Sequence, residues 1–109
     1  MIRIRIKGSP EKIEGFMIWG HARFAPADKD VVCAGVSAVS TTALIGLTSL
    51  VPGSVHYRIM PQGLIYCRLT GNLPETGALE AQAILAAMAL GLEAIRDCYS
   101  EYIDFAYRR

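Results

Sequence analysis

The segment IEGFMIWGHARFAPADKDVVCAGVSAVSTTALIGLTSL, residues 13–50, holds the change from strand to helix that decides the fold. Its first part, residues 13–22, becomes fully apolar toward its end, as is typical of a strand entering a buried position. After a short loop, Asp30 is a favourable N-cap for a helix that we expect to run to about Leu50, where Val51-Pro52-Gly53 would stop it. The segment therefore predicts a strand, a loop and a long helix.

The rest of the chain predicts four further strands and a second helix. Isoleucines alternate with basic residues in the N-terminal MIRIRIK, and the turn formers Pro61-Gln62-Gly63 separate two short strand-like runs. A later segment is rich in Ala, Leu, Glu and Met, and its apolar residues from Leu85 to Ile95 recur at three- and four-residue intervals. The expected strands lie at residues 2–7, 55–60, 64–69 and 102–107, and the expected helix at residues 78–99.

This order of elements, β-β-α-β-β-α-β, indicates the α+β class, with a single mixed or antiparallel sheet and two helices packed against it. The chain has 109 residues, near the most common domain size, and we expect one domain over residues 1–109. A chain of this length buries roughly two thirds of its unfolded surface, so it needs neither a disulfide nor a metal to fold.

Composition and cysteine content exclude several classes of protein and site. Hydrophobic residues make up 52% of the chain, which excludes disorder, and the formal net charge of +1 predicts no direct nucleic-acid binding. Three widely spaced cysteines, Cys33, Cys67 and Cys98, form no metal-ligand spacing and no even disulfide framework, which favours a reducing compartment. No motif indicates a metal or another cofactor. The alternating N-terminus has no apolar core of a signal peptide.

The uncharged stretch at residues 31–51 is long enough to span a bilayer. It nevertheless contains several serines and threonines, and it lacks flanking aromatic anchors and an obvious basic flank. We therefore expect a buried helix of a soluble protein and no membrane association.

His21 and Cys33 are the candidates for chemistry. A cysteine in the first helical turn lies beside unpaired backbone N–H groups and the positive end of the helix dipole, which lower a thiol pKa, as does a neighbouring imidazolium. The intervening loop is long enough to fold His21 back onto Cys33, which would give an activated nucleophile. Ser37, one turn after Cys33, would line the same pocket. Packing roles remain open for His21 and Cys33, and Asp30 either orients His21 or only caps the helix.

At this loop the chain resembles the ribosomal-processing cysteine protease family, Prp. The matching residues are Gly20-His21-Ala22, then Asp30-Val31-Val32-Cys33-Ala34-Gly35-Val36-Ser37, with further likeness at Ile45-Gly46-Leu47-Thr48 and Glu80-Ala81-Gln82. The resemblance implies a dimeric cytoplasmic endopeptidase that removes the N-terminal extension of a large-subunit ribosomal protein of the L-twenty-seven type. It also implies that Cys33 is the nucleophile, His21 the general base and acid, and Asp30 and Ser37 supporting residues.

One position departs from the family pattern. Asp28 stands where the family commonly has glycine, and Pro26 restricts the same loop, so we expect a stiffer loop that affects rate and substrate preference more than the dyad. Two other functions compete with proteolysis: a non-catalytic ribosome-assembly or dimeric interaction module, and a redox sensor in which Cys67 or Cys98 would have to lie within disulfide reach of Cys33.

Overall fold

A computed structural model describes residues 1–22, 25–26, 30–61 and 63–109. It confirms the α+β class and the order of elements predicted above. The strands are β1 (Ile2–Ser9), β2 (Lys12–Gly20), β3 (Val55–Ile59), β4 (Ile65–Leu69) and β5 (Ile103–Arg108); the helices are α1 (Val31–Leu50) and α2 (Glu75–Cys98), and a short 3-10 turn covers Pro52–Ser54.

The five strands form one mixed sheet in the order β3-β4-β2-β1-β5. β1 pairs with β2, β2 with β4 and β4 with β3 in antiparallel fashion, whereas β1 and β5 are parallel. Helix α2 carries the chain from β4 across to β5 at the other edge. The three inner strands, β4, β2 and β1, are therefore each paired on both sides.

One face of the sheet forms the core with the two helices. Ile4 and Ile6 of β1 are fully buried there, together with Leu47 of α1 and Leu85 and Leu92 of α2. Since successive strand residues point to opposite faces, the arginines and lysine of β1 lie on the other face. That other face includes exposed side chains and has no helix packed on it in the described part of the chain. In the following it is called the open face.

Three predicted boundaries were wrong by two or three residues. β1 continues past residue 7 to Ser9, where it still pairs with β2. β2 ends at Gly20 and not at residue 22, because Gly20 has φ +92° and turns the chain out of the strand. α2 begins at Glu75, before the expected residue 78, directly after Pro74, which occupies the N-cap position. Gln62, in the middle of the predicted hairpin turn, lies outside the described residues, but β3 and β4 pair as that turn predicts.

Both helices are long and apolar enough to cross a membrane, with mean hydropathy 1.8 for α1 and 1.5 for α2. Each also contributes buried residues to the core against the sheet, such as Val36 and Leu47 from α1 and Leu85 and Leu92 from α2. A long apolar helix in the core of a soluble protein has these same properties, so we interpret both as core helices.

Candidate active site

His21 follows one glycine and lies close to another. Gly20 directs the chain out of β2 with its positive φ, and a Cβ at this position would lie 2.2 Å from the carbonyl oxygen of Met1. Gly63, after the β3 strand, also has a positive φ, and a Cβ there would lie 3.7 Å from Cε1 of His21. The exposed imidazole thus lies between the end of β2 and the β3–β4 connection.

Cys33 is placed by the helix cap. Asp30 is the N-cap of α1, as predicted, and its Oδ1 accepts the backbone N–H groups of Val32 and Cys33, each at 3.0 Å. The Asp30 side chain is buried, with 6% of the residue exposed. This capping fixes the first turn of the helix and, with it, the position of the Cys33 side chain.

Among the described residues, two polar groups contact the sulfur of Cys33. The backbone N–H of Ala22 donates to Sγ at 3.4 Å, and the thiol donates to Oδ2 of Asp30 at 3.3 Å. Ala22 directly follows His21, so the Gly-His-Ala segment lies against the start of α1. The end of β2 that carries His21 therefore lies beside the cysteine.

The predicted lowering of the Cys33 pKa is wrong for this state of the protein. Burial raises the pKa of the Cys33 thiol, and the hydrogen bond and negative charge of Asp30 raise it further, whereas the Ala22 N–H lowers it. The net direction is upward. Burial and Asp30 therefore favour the protonated thiol, and the N–H groups of Val32 and Cys33, which could stabilise a thiolate, already donate to Asp30.

His21 and Cys33 line one cavity of about 250 Å³. Ser37 and Thr41 continue its wall along α1, at the helical spacing that the sequence predicted. In the described part of the chain no hydrogen bond joins His21 to Cys33. In a free enzyme the hydrogen bonds between catalytic groups are often long until substrate binds. The shared cavity therefore relates His21 to Cys33 better than a hydrogen bond does.

The opposite wall of the cavity was missed by the sequence analysis. Ile59, Met60 and Gly63 supply it from the end of β3 and the turn that follows. The turn formers at residues 61–63 were the available signal, but nothing in their spacing places this turn beside His21. Asp28, the departure from the family pattern, lies outside the described residues, and Pro26 is exposed.

The remaining cysteines and histidine lie elsewhere. Cys67 is buried in β4, and burial raises its pKa to about 11, while Cys98 is exposed at the end of α2 and His56 is exposed on β3. All three cysteines are free. Among the described residues no group of three His, Cys, Asp or Glu side chains is arranged to hold a metal ion.

A thiol and an imidazole that line one cavity, with the thiol held at a helix start, are the parts of a cysteine-peptidase site. Comparison with known proteins agrees: the family model for cysteine protease Prp matches residues 1–104. The chain belongs to the Prp family.

Prp relatives match along most of their length. The ribosomal processing cysteine protease Prp of Staphylococcus aureus strain Mu50 is 33% identical, with 99% of this chain and 100% of that protein covered. The protein of the same name from Bacillus subtilis strain 168 is 32% identical, with 93% and 92% covered. These relatives support a cysteine peptidase of the ribosomal-processing class.

Solved Prp structures have the same fold. S. aureus Prp with a covalently linked product peptide superposes with a TM-score of 0.85 at 29% identity, and it covers 99% of this chain and 100% of its own. The complex of S. aureus Prp with a substrate peptide gives a TM-score of 0.79 at 29% identity, with the same coverage. This Prp chain is therefore a cysteine peptidase, a hydrolase of peptide bonds.

Proposed function

We propose that this chain is a cytoplasmic endopeptidase, with residues 1–109 as one catalytic domain, that removes the N-terminal extension of a large-subunit ribosomal protein of the L-twenty-seven type. The observation that carries the proposal is the cavity shared by His21 and Cys33 in a Prp-family chain. The ribosomal part of the substrate assignment is supported by the names of the S. aureus and B. subtilis relatives.

Cys33 acts as the nucleophile and His21 as the general base and acid. His21 takes the thiol proton when a peptide closes the cavity, and the sulfur forms a bond to the scissile carbonyl carbon. His21 then returns the proton to the leaving amine as the C–N bond breaks. Water then adds to the thioester carbon as His21 takes one of its protons. The C–S bond breaks, His21 returns that proton to the sulfur to restore the thiol, and the carboxylic acid product leaves and loses its proton to solvent.

Asp30 and Ser37 support this chemistry in different ways. Asp30 holds the thiol proton through Oδ2 and the helix start through Oδ1, so it keeps the resting sulfur unreactive and in place. Ser37 lies on the cavity wall one turn further along the helix and contacts the peptide. The N–H groups of Val32 and Cys33 donate to Asp30 in this state, so an oxyanion would reach them only after Asp30 shifts.

We further propose that the peptidase is a homodimer. A groove of about 540 Å³ between α1 and α2 is lined almost entirely by apolar side chains, and Leu50 at its rim is 55% exposed. Ile45 and Leu90, on the same two helices, are 60% and 67% exposed. A second copy would cover such an apolar helix surface. Light scattering on the purified protein measures its molar mass and so distinguishes a dimer from a monomer.

The substrate assignment is tested with two forms of the ribosomal protein, one with the N-terminal extension and one without it. Incubation with the purified enzyme and intact-mass spectrometry should show loss of the extension at one bond, and the shorter form should remain whole. Binding of the extended form without any cleavage would instead support the non-catalytic interaction module. The redox alternative is weaker, because a raised thiol pKa disfavours the thiolate that oxidants attack.

A further inference from the structure

The open face of the sheet has a row of cations that crosses the strands. Register pairs connect Arg108 of β5 to Lys7 of β1, Lys7 to Gly15 of β2, and Gly15 to Arg68 of β4. Paired residues point to the same face, and strands lie about 4.8 Å apart, so this row spans roughly 14 Å. Three of its four positions are basic and the fourth is glycine.

A cavity of about 300 Å³ lies along this row. Its lining includes five cationic residues and no acidic one: Arg5, Lys7, Arg68, Arg108 and Arg109. Gly15 has no side chain to fill the cavity. A larger residue would not fit there, because a Cβ would lie 2.4 Å from the carbonyl oxygen of Cys67 in the neighbouring strand β4. The site is therefore a cationic trough with space for a ligand.

The charges of the trough are only partly compensated within the protein. Arg5 donates to Asp104 at 2.9 Å, and Asp104 also lies 3.5 Å from Arg3. In the described part of the chain, Lys7 and Arg68 have no carboxylate within salt-bridge distance, and both are exposed. An anionic ligand that reached them would bring the missing negative charge.

Aromatic side chains lie next to the trough. Tyr66 is part of its lining, and Trp19, the register partner of Arg3, is half-buried with its ring centroid 5.7 Å from the guanidinium carbon of Arg5. Cations along a groove with aromatic rings beside them are the features by which proteins bind single-stranded nucleic acid, since the phosphates pair with the cations and the bases stack on the rings.

We propose that the open face binds single-stranded RNA, with its phosphates in the trough around Lys7, Arg68 and Arg108 and its bases against Tyr66 and Trp19. The choice of RNA rests on the proposed function in one respect, since a ribosomal-protein substrate is a partner of ribosomal RNA. An acidic peptide would meet the cations but would make no use of the aromatic rings. The net charge of +1 did not predict this site because it averages over both faces of the sheet.

The test uses the Cys33→Ala protein, which separates RNA binding from peptide cleavage, and a fluorescein-labelled 12-nucleotide oligouridylate followed by fluorescence anisotropy. We expect binding in 50 mM salt with a log Kobs against log salt slope of roughly −2 to −4, as for the release of three to five counterions. Lys7→Glu with Arg68→Glu should weaken binding by about tenfold or more. Tyr66→Leu should weaken it several-fold without changing the salt slope.

Arg96→Glu is the matched control, because Arg96 lies on α2, away from the open face, and this variant has the same charge change as Arg68→Glu alone. Arg68→Glu should weaken binding and Arg96→Glu should not, with both proteins shown to be folded by circular dichroism. Equal loss in the two variants, or no binding of the oligouridylate at 50 mM salt, would overturn the proposal. Tighter binding of a labelled 12-residue polyglutamate would also overturn it and identify an acidic protein segment as the occupant.

Discussion

Asp30 holds Cys33 through both of its carboxylate oxygens: Oδ1 accepts the backbone N–H of Cys33 at 3.0 Å, and Oδ2 accepts the thiol at 3.3 Å. Burial raises the pKa of the Cys33 thiol most, and the same Asp30 side chain that fixes the position of the sulfur raises it further. Burial and this carboxylate both favour the neutral thiol in the free protein, and in the mechanism proposed above His21 removes the thiol proton once a peptide is bound.

Asp30→Asn should lower the pKa of the Cys33 thiol. The charge and the acceptor that raise this pKa are removed, while asparagine caps a helix about as well as aspartate. The measurement is the pH dependence of iodoacetamide alkylation of Cys33 in a Cys98→Ala background, since Cys98 is exposed. Asp30→Ala is the comparison, because it also loses the cap and should unfold with about 1 kcal/mol less free energy. An unchanged or higher pKa in Asp30→Asn would contradict the role given to Oδ2.

Gly20→Ala should reduce both stability and cleavage. A Cβ at Gly20 would lie 2.2 Å from the Met1 carbonyl oxygen, and its φ of +92° is unfavourable for alanine. The chain must shift just before His21, at a cost of about 1–3 kcal/mol in the free energy of unfolding. Gly53→Ala is the matched control, because a Cβ there meets nothing within 4 Å. Urea unfolding and cleavage rates should separate the two variants; equal behaviour would mean that Gly20 does not position His21.

Ser37→Val should weaken substrate binding more than it slows turnover. The larger side chain projects into a cavity of about 250 Å³ and takes space from the peptide, while the exposed position requires no repacking of the core. We expect a several-fold higher KM with kcat changed less. Ala34→Val, exposed on the same helix but outside the cavity lining, should leave KM unchanged. A fall in kcat alone would instead indicate that Ser37 acts on the reacting atoms.

Cys67 should make the fold less stable at high pH. Burial raises its pKa from an ordinary value of 9.0 to about 11, so the folded state holds the thiol proton more tightly than the unfolded chain. Its contribution is fully present below pH 9 and is lost as the pH rises from about 9 to 11. Urea unfolding of Cys67→Ala, although less stable overall, should show a shallower loss across this range. An equally steep loss would assign the effect to other groups.

Local sequence patterns predicted the helices and strands well. They did not predict features that depend on contacts between segments distant in sequence. Asp30 predicts the start of α1, because an N-cap bonds only to backbone N–H groups two or three residues further along the chain. The pairing of β1 with β5 depends on where α2 returns the chain, and no local pattern specifies it. The wall formed by Ile59 and Met60 likewise comes from a hairpin whose docking beside His21 is a tertiary contact.

The protonation of Cys33 shows the same limit at the site itself. The spacing from Asp30 places Cys33 in the first turn of the helix, where unpaired backbone N–H groups lower a thiol pKa. Whether these N–H groups are free depends on the Asp30 side chain, which accepts hydrogen bonds both from them and from the Cys33 thiol. The position of the residue was predictable, but its pKa depends on burial and on the orientation of the Asp30 side chain, neither of which the sequence reveals.

The central claim is that Cys33 cleaves the peptide with His21 as its base, and initial cleavage rates of the extended ribosomal protein test it most directly. Wild type and Cys98→Ala, which removes an exposed thiol far along α2, should cleave at equal rates. Cys33→Ala should show no cleavage, and His21→Ala should be slower by at least about 100-fold at neutral pH. Cleavage by folded Cys33→Ala at a rate near that of wild type would contradict the account.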